Sequence, residues 1–170
     1  MQILTVDIGT GTQDIFLYDS RLDLENGFKL VVPSPTMIIH RRIQEITRRA
    51  EALLLTGTIM GGGPSQWAVE AHIRSGYAVY ATPEAALAFN DDLKKIREIG
   101  IQLVSQDEAT SLAKRCSVVE LEDFDFPAVS HALAAFGVSL SGLDAVAVAV
   151  FDHGNAPPDV SDRQFRFKFK

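Results

Sequence analysis

Cysteine, basic charge and long apolar runs are all scarce in this chain of 170 residues. Its single cysteine, Cys116, excludes an intrachain disulfide, which fits a reducing compartment. An iron–sulfur cluster needs several thiolates, so we expect no iron–sulfur cluster on this chain. We interpret Cys116 as a small apolar residue of the structure, because it opens an apolar segment.

The charge balance and the hydropathy limit the classes of partner. A formal net charge of −6 argues against nucleic acid as a partner, since non-specific binding to its phosphates depends on basic surface. No apolar run approaches the roughly 20 residues that a membrane-spanning helix needs, and the first residues do not resemble a signal peptide. We therefore expect no membrane association, a cytoplasmic location and a single α/β domain over residues 1–170.

Two short apolar runs flank a glycine–threonine turn at the start of the chain. Runs this short, at 3–6 and 15–18, predict strands rather than helices. Glycine reaches backbone angles closed to other residues, and successive turn amides can line an anion site. The predicted phosphate-binding residues of the turn are Gly9, Thr10, Gly11 and Thr12. Asp7 precedes them and suits Mg²⁺, which prefers carboxylate oxygens. The alternative is a tight turn between core strands without a ligand.

A second glycine-rich segment follows the predicted strand at 53–56. A strand, a glycine loop and a helix in that order form a common anion-binding arrangement. The candidate residues are Gly61, Gly62 and Gly63. The segment lacks the Lys-Ser/Thr ending of a Walker loop and the spacing of a dinucleotide-binding loop. Close packing of a helix against a strand is therefore the alternative explanation for these glycines.

The remaining pattern indicates the fold class. The opening hairpin and a third predicted strand at 28–32 form an antiparallel meander, after which short apolar strands alternate with helical segments. Strands that are apolar on both faces are typical of parallel sheets covered by helices. We predict an α/β fold with a mixed, mainly parallel sheet that opens with a β-hairpin meander.

The last predicted strand, at 143–150, leads to Asp152 and His153. Ligands of open α/β sheets bind beyond the carboxyl ends of strands, and this carboxylate and imidazole can act as a general base. Asp14, Asp152 and His153 are thus the candidate catalytic residues, and the alternative for the last two is a polar turn. Strand-to-helix loops of a parallel sheet emerge on one side, so the loops at 8–12, 58–65 and 152–156 are predicted to line one cleft.

Three sequence blocks carry a resemblance to known families: DIGTGTQDIFLYD, GTIMGGGPSQWAVEAH and FDHGNAPPDVSDRQFRF. Together they resemble an uncharacterised prokaryotic family labelled "pyruvate formate-lyase activating enzyme-like". DIGTGTQD also resembles the first phosphate motif of the actin, heat-shock ATPase and sugar-kinase superfamily. This second resemblance implies the first lobe of an actin-like ATPase fold with Mg-ATP as cofactor. Sites of that superfamily lie between two lobes, so it also implies a missing second lobe or a homo-oligomer.

Three functional hypotheses follow from these observations. The first is a nucleotide- or phosphate-binding domain of the actin-like ATPase or sugar-kinase type that performs phosphotransfer. In it the glycine amides hold phosphate, Asp7 holds Mg²⁺ through water, and Asp14 or Asp152 orients a nucleophile. The second is a non-catalytic module that binds a phosphorylated or other small molecule. The third is a structural lobe that docks a partner. Radical iron–sulfur chemistry, which the family label suggests, gains no support from a single cysteine.

Overall fold

The computed structural model describes residues 1–60 and 62–150. The strands in these residues are β1 Gln2–Ile8, β2 Thr12–Asp19, β3 Phe28–Pro33, β4 Leu53–Gly57, β5 Val79–Ala81, β6 Ile101–Leu103, β7 Ser117–Leu121 and β8 Ala145–Ala149. The α-helices are α1 Pro35–Arg48, α2 Gly63–Arg74, α3 Pro83–Leu87, α4 Leu93–Ile99, α5 Gln106–Leu112 and α6 Phe126–Ala135. A short 3-10 helix, Leu24–Asn26, precedes β3.

The strands form two sheets of four strands each. The first sheet has the order β3-β2-β1-β8, in which the meander is antiparallel and β8 runs parallel to β1. The second sheet has the order β6-β5-β4-β7 and is parallel throughout. The predicted α/β class, the meander and the mixture of strand directions are confirmed. The prediction of a single sheet is wrong, because β8 returns to β1 while β4 pairs with β5 and β7.

The strands of the two sheets differ in burial. Buried and exposed residues alternate along β1 and β2, as is typical of a sheet with one covered face. The start of β4 is buried at three successive residues, so both of its faces need cover.

Each sheet has its own apolar core. The inner face of the first sheet packs on α6, where Leu4, Val6 and Ile15 meet Val129 and Leu133. The outer face of that sheet, which carries Asp7 and Asp14, is exposed. On the second sheet, one face packs on α1, α2 and α3, and the other face packs on α5. Cys116 is half-buried against the cluster that includes α5.

Strand β8 differs from its predicted environment. All five of its residues are exposed, although the sequence pattern predicts a strand buried on both faces. The strand lies at the edge of the first sheet, next to β1, so only one of its sides has a neighbouring strand among the described residues. An apolar run shows that a strand can be buried, but it does not show which element covers it.

Candidate functional site

The turn between β1 and β2 is exposed and offers two amides. Gly9 N donates to Thr12 O at 2.9 Å, which closes the turn. Thr10, Gly11 and Thr12 are exposed, and no acceptor in residues 1–60 or 62–150 is bonded to the amides of Thr10 and Gly11. These two amides are the backbone donors that the turn can present to an anion.

The two glycines of this turn have ordinary backbone angles. Neither Gly9 nor Gly11 has a positive φ, so the expectation of special backbone angles is wrong here. A Cβ at Gly9 would lie 3.1 Å from Thr12 O, whereas a Cβ at Gly11 would meet nothing within 4 Å. Gly11 therefore leaves the surface above the turn open, so a ligand can approach the backbone closely there.

Helix α1 holds the other side of the turn through Ser34. Its amide donates to Gly11 O at 3.1 Å, and its hydroxyl donates to Thr10 O at 2.7 Å. Ser34 is buried and is also the N-cap of α1, accepting from Met37 N at 3.4 Å. Because these bonds engage the carbonyls of the turn, they fix its conformation while its exposed amides stay accessible.

Asp7 and Asp14 lie directly opposite each other across the hairpin, and both are exposed. Side chains at opposed positions of antiparallel strands have Cβ atoms roughly 5 Å apart, so the two carboxylates repel each other unless a cation lies between them. A hydrated Mg²⁺ needs only one or two carboxylates, so this pair fits it. Residues 1–60 and 62–150 contain no group of three or more His, Cys, Asp or Glu side chains suited to a metal.

The glycine loop before α2 is tied down by the protein itself. A Cβ at Gly62 would lie 2.1 Å from Ala88 O, so only glycine fits this contact with the end of α3. Two nearby amides already have acceptors: Met60 N donates to Asp123 Oδ1 at 3.0 Å, and Ser65 N donates to Thr36 Oγ1 at 3.3 Å. This geometry favours the packing alternative for Gly62, and ligand binding by the loop stays a prediction.

The other two glycines of the loop differ from Gly62. Gly63 is exposed, and a Cβ there would meet nothing within 4 Å. Gly61 lies outside the described residues. Packing against the described residues therefore does not explain Gly63.

The strands that precede the three predicted loops do not all belong to one sheet. Strands β1 and β8 are parallel neighbours with Asp7 opposite Ala149, so their carboxyl ends meet at one sheet edge, as predicted. Asp152 and His153, which follow β8, lie outside the described residues. The loop after β4 belongs to the second sheet and approaches the hairpin through α1, whose Thr36 hydroxyl donates to Ser65 Oγ at 3.3 Å.

A cavity that the sequence analysis did not predict lies behind the hairpin. Its volume is about 220 Å³, and residues of β2, β3, α1 and α6 line it. Gln13 is among them and is only 6% exposed. Its signal in the sequence is that it shares the inward side of β2 with Ile15 and Leu17, where an apolar residue is the rule.

The match that comparisons with known proteins give covers residues 60–170 and does not include the hairpin. None of the helices among residues 1–60 and 62–150 has the length and apolar character required to cross a membrane. No curated protein and no solved structure matches the chain. A family model described as "Putative pyruvate format-lyase activating enzyme (DUF1786)" matches residues 60–170. The hairpin precedes the matched residues, but these make up more than half of the chain, so the protein belongs to this family.

Proposed function

We propose that the hairpin end of the first sheet binds the phosphate groups of a nucleotide or phosphorylated small molecule together with Mg²⁺. One observation carries the proposal: the hairpin whose turn has two amides without an acceptor in residues 1–60 and 62–150, those of Thr10 and Gly11, also holds the opposed carboxylates of Asp7 and Asp14. The amides favour an anion, and the carboxylates favour a cation. A magnesium–phosphate complex presents both charges at once.

Electrostatics requires the metal in this proposal. A free phosphate would approach two carboxylates, which repel it, and the amides of two residues do not outweigh that repulsion. Mg²⁺ between the carboxylates and the phosphate turns both repulsions into attractions, and it retains water in its remaining positions. Asp7 is the proposed metal ligand, and Asp14 holds a metal-bound water or orients a nucleophile.

The resemblance of DIGTGTQD to actin-like ATPases and sugar kinases supports the same assignment. The first sheet is mixed and opens with a hairpin, as in that superfamily. We propose Mg-ATP as the ligand and phosphotransfer as the reaction, since that chemistry depends on positioning and charge neutralisation. The exposed outer face that carries Asp7 and Asp14 would then be completed by a second lobe or by another copy of the chain.

A second candidate function is a structural lobe that docks a partner. The observation that favours it is β8, whose residues are apolar and all exposed. Val146 and Val148 are 45% and 39% exposed, respectively, at the edge of the first sheet. A partner that covers this strand would bury apolar surface without using the hairpin turn at all.

The experiment is a measurement of the melting temperature with ATP or pyrophosphate, with and without Mg²⁺. We expect a rise that requires Mg²⁺ and that Gly11→Val abolishes, since a branched side chain there covers the amides without meeting another group. Gly142→Val is the matched control, because Gly142 is exposed, belongs to neither candidate loop, and a Cβ there would lie an ordinary 3.5 Å from Gln2 Oε1, so this variant should retain the rise. Asp7→Asn should remove most of the rise in melting temperature that Mg²⁺ produces.

Three results would contradict the proposal: no rise with any phosphate ligand, a rise that is independent of Mg²⁺, or loss of the rise in Gly142→Val but not in Gly11→Val. Release of phosphate from Mg-ATP distinguishes the enzyme from the non-catalytic module. Binding with no release supports the module, and release that Asp14→Asn abolishes supports the enzyme.

A further inference from the structure

The cavity between the inner face of the first sheet and helices α1 and α6 has an apolar wall. With a volume of about 220 Å³, it is open to solvent on one side. Its apolar lining comes from Ile15, Leu30, Val32, Ile38, Ile39 and Val129. The space corresponds to about seven water molecules at ~30 Å³ each, so a compact ligand such as a single ring with a short chain fits it. Burial of such a body against this wall is favourable.

Gln13 places a polar group in that wall. Its Nε2 donates to Pro33 O at 3.1 Å, and its buried Oε1 accepts no hydrogen bond from residues 1–60 or 62–150. Exchanging the two amide atoms does not help, because the oxygen would then face the carbonyl of Pro33. A buried acceptor without a donor is unfavourable, so the cavity favours a ligand that carries N–H groups.

The rim of the cavity is negatively charged. Glu120 and Glu122 lie at the end of β7, Asp125 caps α6, and Arg42 projects from α1. Three carboxylates therefore share the rim with one guanidinium. The pKa of Glu122 is raised, first by burial and then by the nearby charges of Asp125 and Glu120, while Arg42 acts in the opposite direction. A cation at this rim would relieve the repulsion among the carboxylates.

We propose that this cavity binds a small amine whose apolar body lies on the wall and whose ammonium group lies among Glu120, Glu122 and Asp125. Gln13 lines the same cavity, and its unpartnered Oε1 favours a ligand with N–H groups over one without them. Adjacent residues of a strand point to opposite faces, so Gln13 and Asp14 place the amine and the magnesium–phosphate complex on opposite faces of the first sheet. The two proposals therefore fail independently of each other.

The test is calorimetric titration of the full chain with 2-phenylethylamine and with 2-phenylethanol, which has the same ring and chain but no charge. We expect the amine to bind about tenfold more tightly than the alcohol. Glu122→Gln should weaken binding of the amine and leave binding of the alcohol unchanged. Ala132→Phe should abolish binding of both, because Ala132 lines the cavity. Ala135→Phe, at an exposed position of the same helix, is its matched control.

The proposal is overturned if neither compound binds, if the two bind equally, or if Ala132→Phe leaves both affinities unchanged. Since Glu122→Gln removes a charge without changing the size of the side chain, it tests the rim even if Ala132→Phe fails to fold. Saturation with magnesium pyrophosphate should not change the affinity for the amine. Competition between the two would place the amine at the hairpin and contradict the proposed location.

Discussion

His72 shows how a single buried side chain can make stability depend on pH. It lies in α2 with no exposed surface. Its Nδ1 is 2.8 Å from Thr47 Oγ1, and the hydroxyl of Thr47 donates to Ile43 O, so Nδ1 carries the proton and donates. The other ring nitrogen, Nε2, has no hydrogen-bond partner in residues 1–60 and 62–150. Burial lowers the pKa of His72 below its ordinary value, which favours the neutral ring, while the backbone of Ala78 acts in the opposite direction.

We expect the free energy of unfolding to fall as the pH drops from 7.5 to 5.5. The unfolded chain binds a proton at His72 below pH ~6.5, whereas the folded chain does not until the pH reaches its lowered pKa. The loss is at most about 1.4 kcal/mol per pH unit in that window. Urea denaturation at several pH values measures it.

His72→Gln should be less stable at pH 7.5 but should lose much of this pH dependence. His131→Gln is the control, because His131 is exposed on α6 and should leave the profile unchanged. An unchanged slope in His72→Gln would assign the pH dependence to other groups.

At the scale of one element, Ser34 connects a helix to the candidate site. It caps α1 and bonds to the carbonyls of Thr10 and Gly11 in the hairpin turn. Ser105 caps α5 at the exposed surface, in a capping box with Glu108. Both residues cap the start of a helix, but only Ser34 also bonds to the hairpin turn.

Ser34→Ala should therefore destabilise the protein more than Ser105→Ala does. Loss of a cap costs about 1 kcal/mol in each variant. Ser34→Ala also removes the hydroxyl that donates to the carbonyl of Thr10, which adds roughly 0.5–1.5 kcal/mol. Urea denaturation gives both values. Equal losses would show that the cap alone matters and that the turn does not depend on Ser34.

The elements themselves were largely predictable from the sequence, but their pairing was not. Apolar periodicity and stop signals such as Gly100, which ends α4 with a φ of 103°, predict strands and helices because they act locally. Periodicity contains no information about which strand lies beside which, so the second sheet was missed. The exposure of β8 was not predictable for a similar reason, because the elements that bury a strand can be distant from it in the sequence.

For the candidate site, the same distinction between local and distant contacts holds. The hairpin with Asp7 and Asp14 was predictable, because a turn fixes the register of its own strands. The amine cavity was not, since it exists only where β2, α1 and α6 meet. The pattern predicts close packing of a helix against a strand as the alternative for the second glycine segment, whereas Gly62 packs against Ala88 at the end of α3, a helix that the glycine motif does not include.

At the scale of the whole molecule, the family description and the composition lead to different expectations. The description names an activating enzyme of pyruvate formate-lyase, but the chain has one cysteine. After anaerobic incubation with iron and sulfide, we expect no absorption from a four-iron cluster, because one thiolate cannot hold it. Iron and sulfide analysis of the desalted protein checks this. A stoichiometric cluster on each chain would show that the prediction is wrong.

The pairing of β8 with β1 has a consequence for synthesis on the ribosome. Gln2 N donates to Asp144 Oδ2 across a separation of 142 residues, while all strands of the second sheet lie between them. At ~5–20 residues per second, β1 waits on the order of ten seconds for β8 to be translated. The second sheet can pair during this interval. The nascent meander meanwhile presents the unpaired edge of β1 to other chains, so crowded polysomes are where this protein is most exposed to misassembly.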